Sequence, residues 1–170
     1  MTKAMKNRYH DLHLIEMAKH RLMLEDFLVK RVNLDVRDKE GQNTLYWAIK
    51  NRSQHNVQLL LKYEIDLMVK DSLHAIFHAI SSNDTETFVY LLENKMISID
   101  VKNSIGETLL MRAIHVESIS MVRYLINHGA NLYLSDDHNH KAIDYAHACK
   151  NRDVFNLVHY RILYEKSKEK

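Results

Sequence analysis

An internal repeat of about 33 residues limits what this chain can fold into more than any other feature. Alanine recurs at nearly even spacing, in matching apolar settings, at Ala48, Ala79, Ala113 and Ala146. A bulky apolar pair follows the first three, at Leu60-Leu61, Leu91-Leu92 and Leu125-Ile126, and Leu157-Val158 continues the series. Asp38, Asp71, Asn103 and Asp136 stand ahead of the four copies. The first and third copies align at a single constant offset: Gly41 with Gly106, Leu45 with Leu110, Ala48 with Ala113, Ile49 with Ile114, Leu67 with Leu132. A period of this length marks a repeat array. One copy cannot bury its apolar face alone, so stacked neighbours must supply the core.

Within a copy, Leu45, Ala48 and Ile49 fall on one face of a short helix, and Val57, Leu60 and Leu61 line the buried side of a second. Alanine in the first helix lets a neighbouring helix approach closely. Gly129, after Asn127-His128, suits a left-handed helix cap. The stretch from Asp66 to Asp71 is too short for a helix and reads as an extended turn. Each copy is therefore helix, turn, helix, loop. The complete lack of proline and the three glycines argue against an all-β sandwich, whose many tight turns need both residues.

These units resemble the ankyrin repeat, with its T-P-L-H-x-A signature. The third copy carries the likeness best, from Gly106-Glu107-Thr108-Leu109-Leu110-Met111-Arg112-Ala113 through Met121 to Leu132. Thr44-Leu45-Tyr46-Trp47-Ala48 and Lys141-Ala142-Ile143-Asp144-Tyr145-Ala146 are similar. Thr44, Leu109 and Ala142 replace the family's proline, and Glu64 and Lys95 stand where its helix-ending glycine belongs. The second copy loses two residues around Leu73-His74-Ala75 and gains one near Met96-Ile97-Ser98. The resemblance implies an all-α solenoid of stacked helix-turn-helix units joined by extended loops. Its repeats fall at 38–70, 71–102, 103–135 and 136–160, in a single domain with a polar tail at 161–170. A divergent N-terminal repeat at 10–37 is expected from Leu12 to Ala18 and Phe27-Leu28-Val29.

The family implies non-catalytic protein binding, as an adaptor, inhibitor or targeting module, with partners docking on loop tips and the exposed positions of the first helices. By register the loop candidates are Arg37, Lys39, Glu40, Gln42, Lys70, Ser72, Lys102, Ser104, Glu107, Asp137 and His138. Lys50, Asn51, Ser81, Ser82, His115 and Val116 are the helix candidates. Trp47 is the most suggestive residue: beside Tyr46 it reads as core packing or as a binding anchor, since interface hot spots favour both types. His78 and Arg112 occupy the same register position, and their polarity suggests a site bordering solvent. Arg37, Lys39, Lys70 and Lys102 would form a basic strip along the loops, which makes an acidic protein segment the expected ligand.

Nucleic acid is not the expected partner. Residues 38–160 carry twelve Lys/Arg against fifteen Asp/Glu, so no concentrated basic face is available there. No apolar run approaches the ~18 residues of a membrane span, and Asp11, His13 and Glu16 interrupt anything like a secretion signal. Cys149 stands alone and fits a reducing compartment, so a cytoplasmic monomer without cofactor is expected. The Lys/Asn/His-rich style also resembles bacterial or viral proteins that act inside host cells.

Two rival readings stay open at this point. Asp136, Asp137, His138 and His140, with Asp144 and His147, could build a metal-dependent enzyme site near 136–147, although the register makes 136–140 an ordinary loop. Cys149 and His147 are two residues apart, which puts them on different helix faces and argues against a nucleophile–base pair. The second rival is a self-associating structural protein.

Overall fold

A computed structural model describes residues 14–18, 24, 33–34, 36–94 and 97–168. Among them, from Thr44 onward, eight helices and one small hairpin follow in order: α1 (Thr44–Lys50), α2 (Gln54–Lys62), β1 (Met68–Lys70), β2 (Leu73–His74), α3 (Ala75–Ser81), α4 (Thr85–Asn94), α5 (Leu109–His115), α6 (Ile119–Asn127), α7 (Ala142–Ala148) and α8 (Arg152–Lys168). This is the expected stack of helix-turn-helix units, nearly all α. They gather into two compact units, the first ending at Thr87 and the second beginning at Phe88.

In the first unit α1 packs on α2 and on α3. Leu45, Ala48, Ile49, Val57, Leu60, Ile76, Ala79 and Ile80 are completely buried between them. Residues 14–18 are helical; Leu14, Ile15 and Ala18 are buried, and Asn51 Nδ2 donates to the Ala18 carbonyl at 2.9 Å. Phe27, Leu28 and Val29 lie outside the described residues. In the second unit α5 packs on α6 and α7, and α8 packs on α7 and α6. Leu110, Ala113, Ile114, Met121, Val122, Leu125, Ala146, Val154 and Val158 form its core. The four register alanines are at most 1% exposed, which is why no larger side chain serves there.

The backbone repeats as faithfully as the side chains. Antiparallel bridges join Arg37 to Asn43, Lys102 to Thr108 and Ser135 to Lys141, closing a short loop, here called a finger, ahead of α1, α5 and α7. Gly41, Gly106 and Asn139 take the left-handed conformation at its tip. The second copy is short by two residues, and there the finger tightens into the β1–β2 hairpin, with Ser72 at φ +57 in the turn.

Left-handed backbone also ends the second helices, at Gly129 (φ +83) and at Glu64 (φ +57). The register equivalence of these two residues is thus conformational, and Glu64 bears a strain that a glycine would relieve. Lys95, the other residue at a glycine position, and Met96 lie outside the described residues. Glu64→Gly is expected to raise the unfolding free energy by about 1 kcal/mol, read as a higher urea midpoint at unchanged slope.

Candidate partner-binding surface

The fingers are built on a recurring acid or amide. Asp38 Oδ1 accepts the N–H groups of Glu40 and Gln42, each at 3.0 Å. Asn103 Oδ1 accepts those of Ile105 and Glu107, at 3.1 and 3.0 Å. Asp136 Oδ1 accepts those of His138 and His140, both at 2.8 Å. Such a side chain organises a tight turn by satisfying backbone donors locally.

The remaining polar atom of this residue is tied to the first helix through one register position, directly in the first and fourth copies and by way of Glu107 in the third. Trp47 Nε1 donates to Asp38 Oδ2 at 2.9 Å, and the Tyr145 hydroxyl donates to Asp136 Oδ2 at 2.8 Å. In the third copy Asn103 Nδ2 donates to Glu107 Oε2 at 2.9 Å, and Arg112 pairs with that same oxygen at 2.7 Å. Trp47, Arg112 and Tyr145 are therefore struts that tie a finger to its helix. Burial pushes the Asp136 carboxyl up, but the Tyr145 hydroxyl and the two finger N–H groups more than offset this and hold it at about 2.

In the second copy the hairpin replaces the finger, and His78 turns elsewhere. Its Nε2 lies 3.1 Å from the Tyr46 carbonyl, and its ring stacks on Tyr46 with centroids 4.1 Å apart. At 7% exposure it does not border solvent, contrary to the expectation from its polarity. An imidazole can enter this core because its polar edge meets a backbone acceptor. Burial lowers its pKa below 6.5, with the Tyr46 carbonyl acting in the opposite sense; His74 is lowered by burial too, with Asp66 opposing. A histidine whose folded pKa is depressed binds its proton more readily in the unfolded chain. Its contribution to stability is present above 6.5 and is lost as pH falls toward the lowered value. Urea midpoints are expected to fall as pH drops from about 7 to 5, and less steeply in His78→Gln. Parallel pH profiles would refute this role.

The other candidates divide between the units. In the first, Arg37 is spent internally: it pairs with Asp66 at 2.8 Å and donates to the Gly41 and Met68 carbonyls. Lys39 and Ser72 are exposed and Lys70 half-buried. Lys50 Nζ lies 4.7 Å over the Trp47 ring and 5.8 Å from Tyr46, and the two aromatic rings meet edge to face at 5.4 Å. Tyr46, Trp47, Lys50 and His78 thus come together in one cluster. In the second unit Lys102 and Ser104 are exposed on the finger, and Lys102 Nζ donates to the Ser135 carbonyl at 2.7 Å. Exposed His115 and the Arg112 strut line a cleft of about 410 Å³, together with Ile105, Glu107, His140, Asp144, Tyr145 and Ala148.

In the segment 136–147 the first part, to Lys141, is a finger and the rest lies in α7. Asp136 spends both oxygens within this segment, Asp144 Oδ2 accepts the Lys141 N–H at 2.8 Å, and among the described residues no three His, Cys, Asp or Glu side chains group to hold a metal. Cys149 Sγ lies 3.1 Å from the Ala146 carbonyl and 3.4 Å from that of Asn151, and burial pushes its thiol pKa up, the wrong direction for a nucleophile. No described helix is long and apolar enough to cross a membrane.

A family model for ankyrin repeats (3 copies) matches residues 12–103 and 76–166. Among similar proteins, the fowlpox virus (strain NVSL) ankyrin repeat protein FPV022 is 26% identical over 144 residues, which is 83% of this chain and 24% of that protein. The potassium channel AKT2/3 of Arabidopsis thaliana is 26% identical over 138 residues, covering 80% of this chain and 17% of the channel. The mouse B-cell lymphoma 3 protein homolog is 31% identical over 103 residues, or 56% and 22% of the two chains. The chain spans about a quarter or less of each of these relatives.

Proposed function

This chain belongs to the ankyrin-repeat family, and we propose that it works as a non-catalytic protein-binding module that engages an acidic segment of another protein through its first unit. The observation that carries this reading is the half-exposed Tyr46–Trp47 pair with Lys50 over it. Trp47 is fixed by Asp38 and Tyr46 by the stacked His78, so little side-chain entropy remains to be lost on binding. Preordered aromatics beside a cation are the residue types that dominate interface energies. Lys39 and Lys70 supply further positive charge in the same unit.

The spacing of fingers and helices supports repeats at 38–70, 71–102, 103–135 and 136–160, while most of the divergent N-terminal repeat proposed at 10–37 lies outside the described residues. Within this proposal the chain is an adaptor, inhibitor or targeting module that acts as a cytoplasmic monomer inside a host cell, and the one support for the host setting is that a similar ankyrin repeat protein is viral. Affinity capture from a cell lysate tests the reading, comparing the wild type with Lys39→Glu/Lys70→Glu. One reproducible protein should be retained by the wild type and lost from the variant, with thermal unfolding unchanged. Equal retention by both chains, or nothing reproducible on either, would overturn it.

A further inference from the structure

The cleft in the second unit is chemically unlike the basic cluster of the first. Its walls come from two successive copies: Ile105 from one finger, Arg112 and His115 from α5, His140 from the next finger, and Asp144, Tyr145 and Ala148 from α7. The one permanent cation in its lining is already neutralised, because Arg112 pairs at 2.7 Å with Glu107, whose side chain is 3% exposed. Asp144 is exposed; its Oδ2 accepts the Lys141 N–H at 2.8 Å, and among the described residues Oδ1 accepts no hydrogen bond. Asp136 adds a further carboxylate directly behind the Tyr145 hydroxyl. Carboxylates therefore outnumber cations around a cleft whose surface is otherwise aromatic and aliphatic.

Ile105 is 49% exposed at the rim, and a solvent-facing isoleucine on a finger is otherwise unexplained by the fold. Ile105 and Ala148 offer an apolar track, the Tyr145 ring offers a π face, and Asp144 offers a carboxylate. A long cationic side chain is the one natural side-chain type that matches all three, with its methylene stem on the track and its head over the ring and against the acid. Arginine fits better than lysine, since its planar guanidinium can lie flat on the Tyr145 ring, with the edge of the nearly perpendicular His140 ring beside it. We propose that this cleft receives an arginine side chain of a protein partner. The inference rests on the protein-binding reading above and assigns the second unit a recognition point of its own.

A small probe separates this proposal from the identity of the partner. The ¹⁵N-labelled chain is titrated with acetyl-Ala-Arg-Ala-amide, and in parallel with the norleucine and glutamate versions of the same peptide. Saturable amide shifts at residues 105, 115, 140 and 145 are expected with the arginine peptide at millimolar concentrations, weakening as salt is added. Asp144→Asn keeps an acceptor for the Lys141 N–H and should weaken binding about threefold to fivefold, the effect of removing one exposed charge contact. Equal binding of norleucine would show mere apolar contact and overturn the proposal. So would equal or tighter binding of glutamate, or the lack of saturable shifts with arginine on the wild type. If the arginine peptide binds and no protein is captured from the lysate, the module reading fails while the cleft assignment stands. If a protein is captured and the arginine peptide does not bind, the reverse holds.

Discussion

Replacing Gly106 with alanine is expected to cost about 2–4 kcal/mol of unfolding free energy, against about 1 kcal/mol for the same change at Gly41. The two glycines share one register position and one conformation, φ +73 and φ +75. Left-handed backbone penalises any Cβ, so both variants lose that much. The difference lies in what comes next along the chain. At Gly41 an added Cβ meets nothing within 4 Å. At Gly106 it would stand 2.7 Å from the Asp137 backbone nitrogen and overlap the Asp137 carboxylate. That nitrogen donates to the Ile105 carbonyl at 3.2 Å, so the strand cannot withdraw without giving up a hydrogen bond between fingers. Urea unfolding of the two single variants measures both losses. Equal losses would mean that the third and fourth fingers can separate at no cost, and the close approach would carry no weight.

That contrast also marks how far the sequence can be read. The period places the helices, the buried alanines and the left-handed tips, because each is a property of one copy and the copies confirm one another. It marks Glu64 as a glycine equivalent, since the offset that carries Gly41 onto Gly106 also carries Glu64 onto Gly129. What joins one copy to the next is not legible. His78 looks like a solvent-facing residue because Arg112 occupies the same position. In the shortened second copy Asp71 stands seven residues ahead of His78 instead of nine, and the imidazole meets the Tyr46 carbonyl instead of a finger acid. The strut role is nearly readable: Asp38, Asn103 and Asp136 each precede Trp47, Arg112 and Tyr145 by the same interval. Three dissimilar side chains at one position conceal a shared donor, and only an inventory of N–H and O–H groups across the copies would expose it.

Arg112 is the strut with the most at stake, and Arg112→Ala is expected to cost about 2–3 kcal/mol. Glu107 is 2% exposed and is held by Asn103 at 2.9 Å and by Arg112 at 2.7 Å. Removing the guanidinium leaves a carboxylate that has already lost its water, a situation that costs about 3–5 kcal/mol in a closed interior. The smaller figure follows because the Arg112 side chain is 27% exposed, so water can reach part of the vacated site. Arg112→Ala/Glu107→Gln should recover more than half of the loss, because glutamine removes the stranded charge and still accepts from Asn103 Nδ2. Loss of Arg112 Nε, which is buried without an acceptor among the described residues, is common to both variants and keeps the cost of the single one at the lower figure. A single variant as stable as the wild type, or a double variant no better than the single, would reduce the pair to an incidental contact. The outcome decides how partner mapping is read. If the strut holds the third finger, weaker binding by an Arg112 variant reports a loosened finger, and exposed Lys39 and Asp144, whose changes leave the struts intact, become the informative positions.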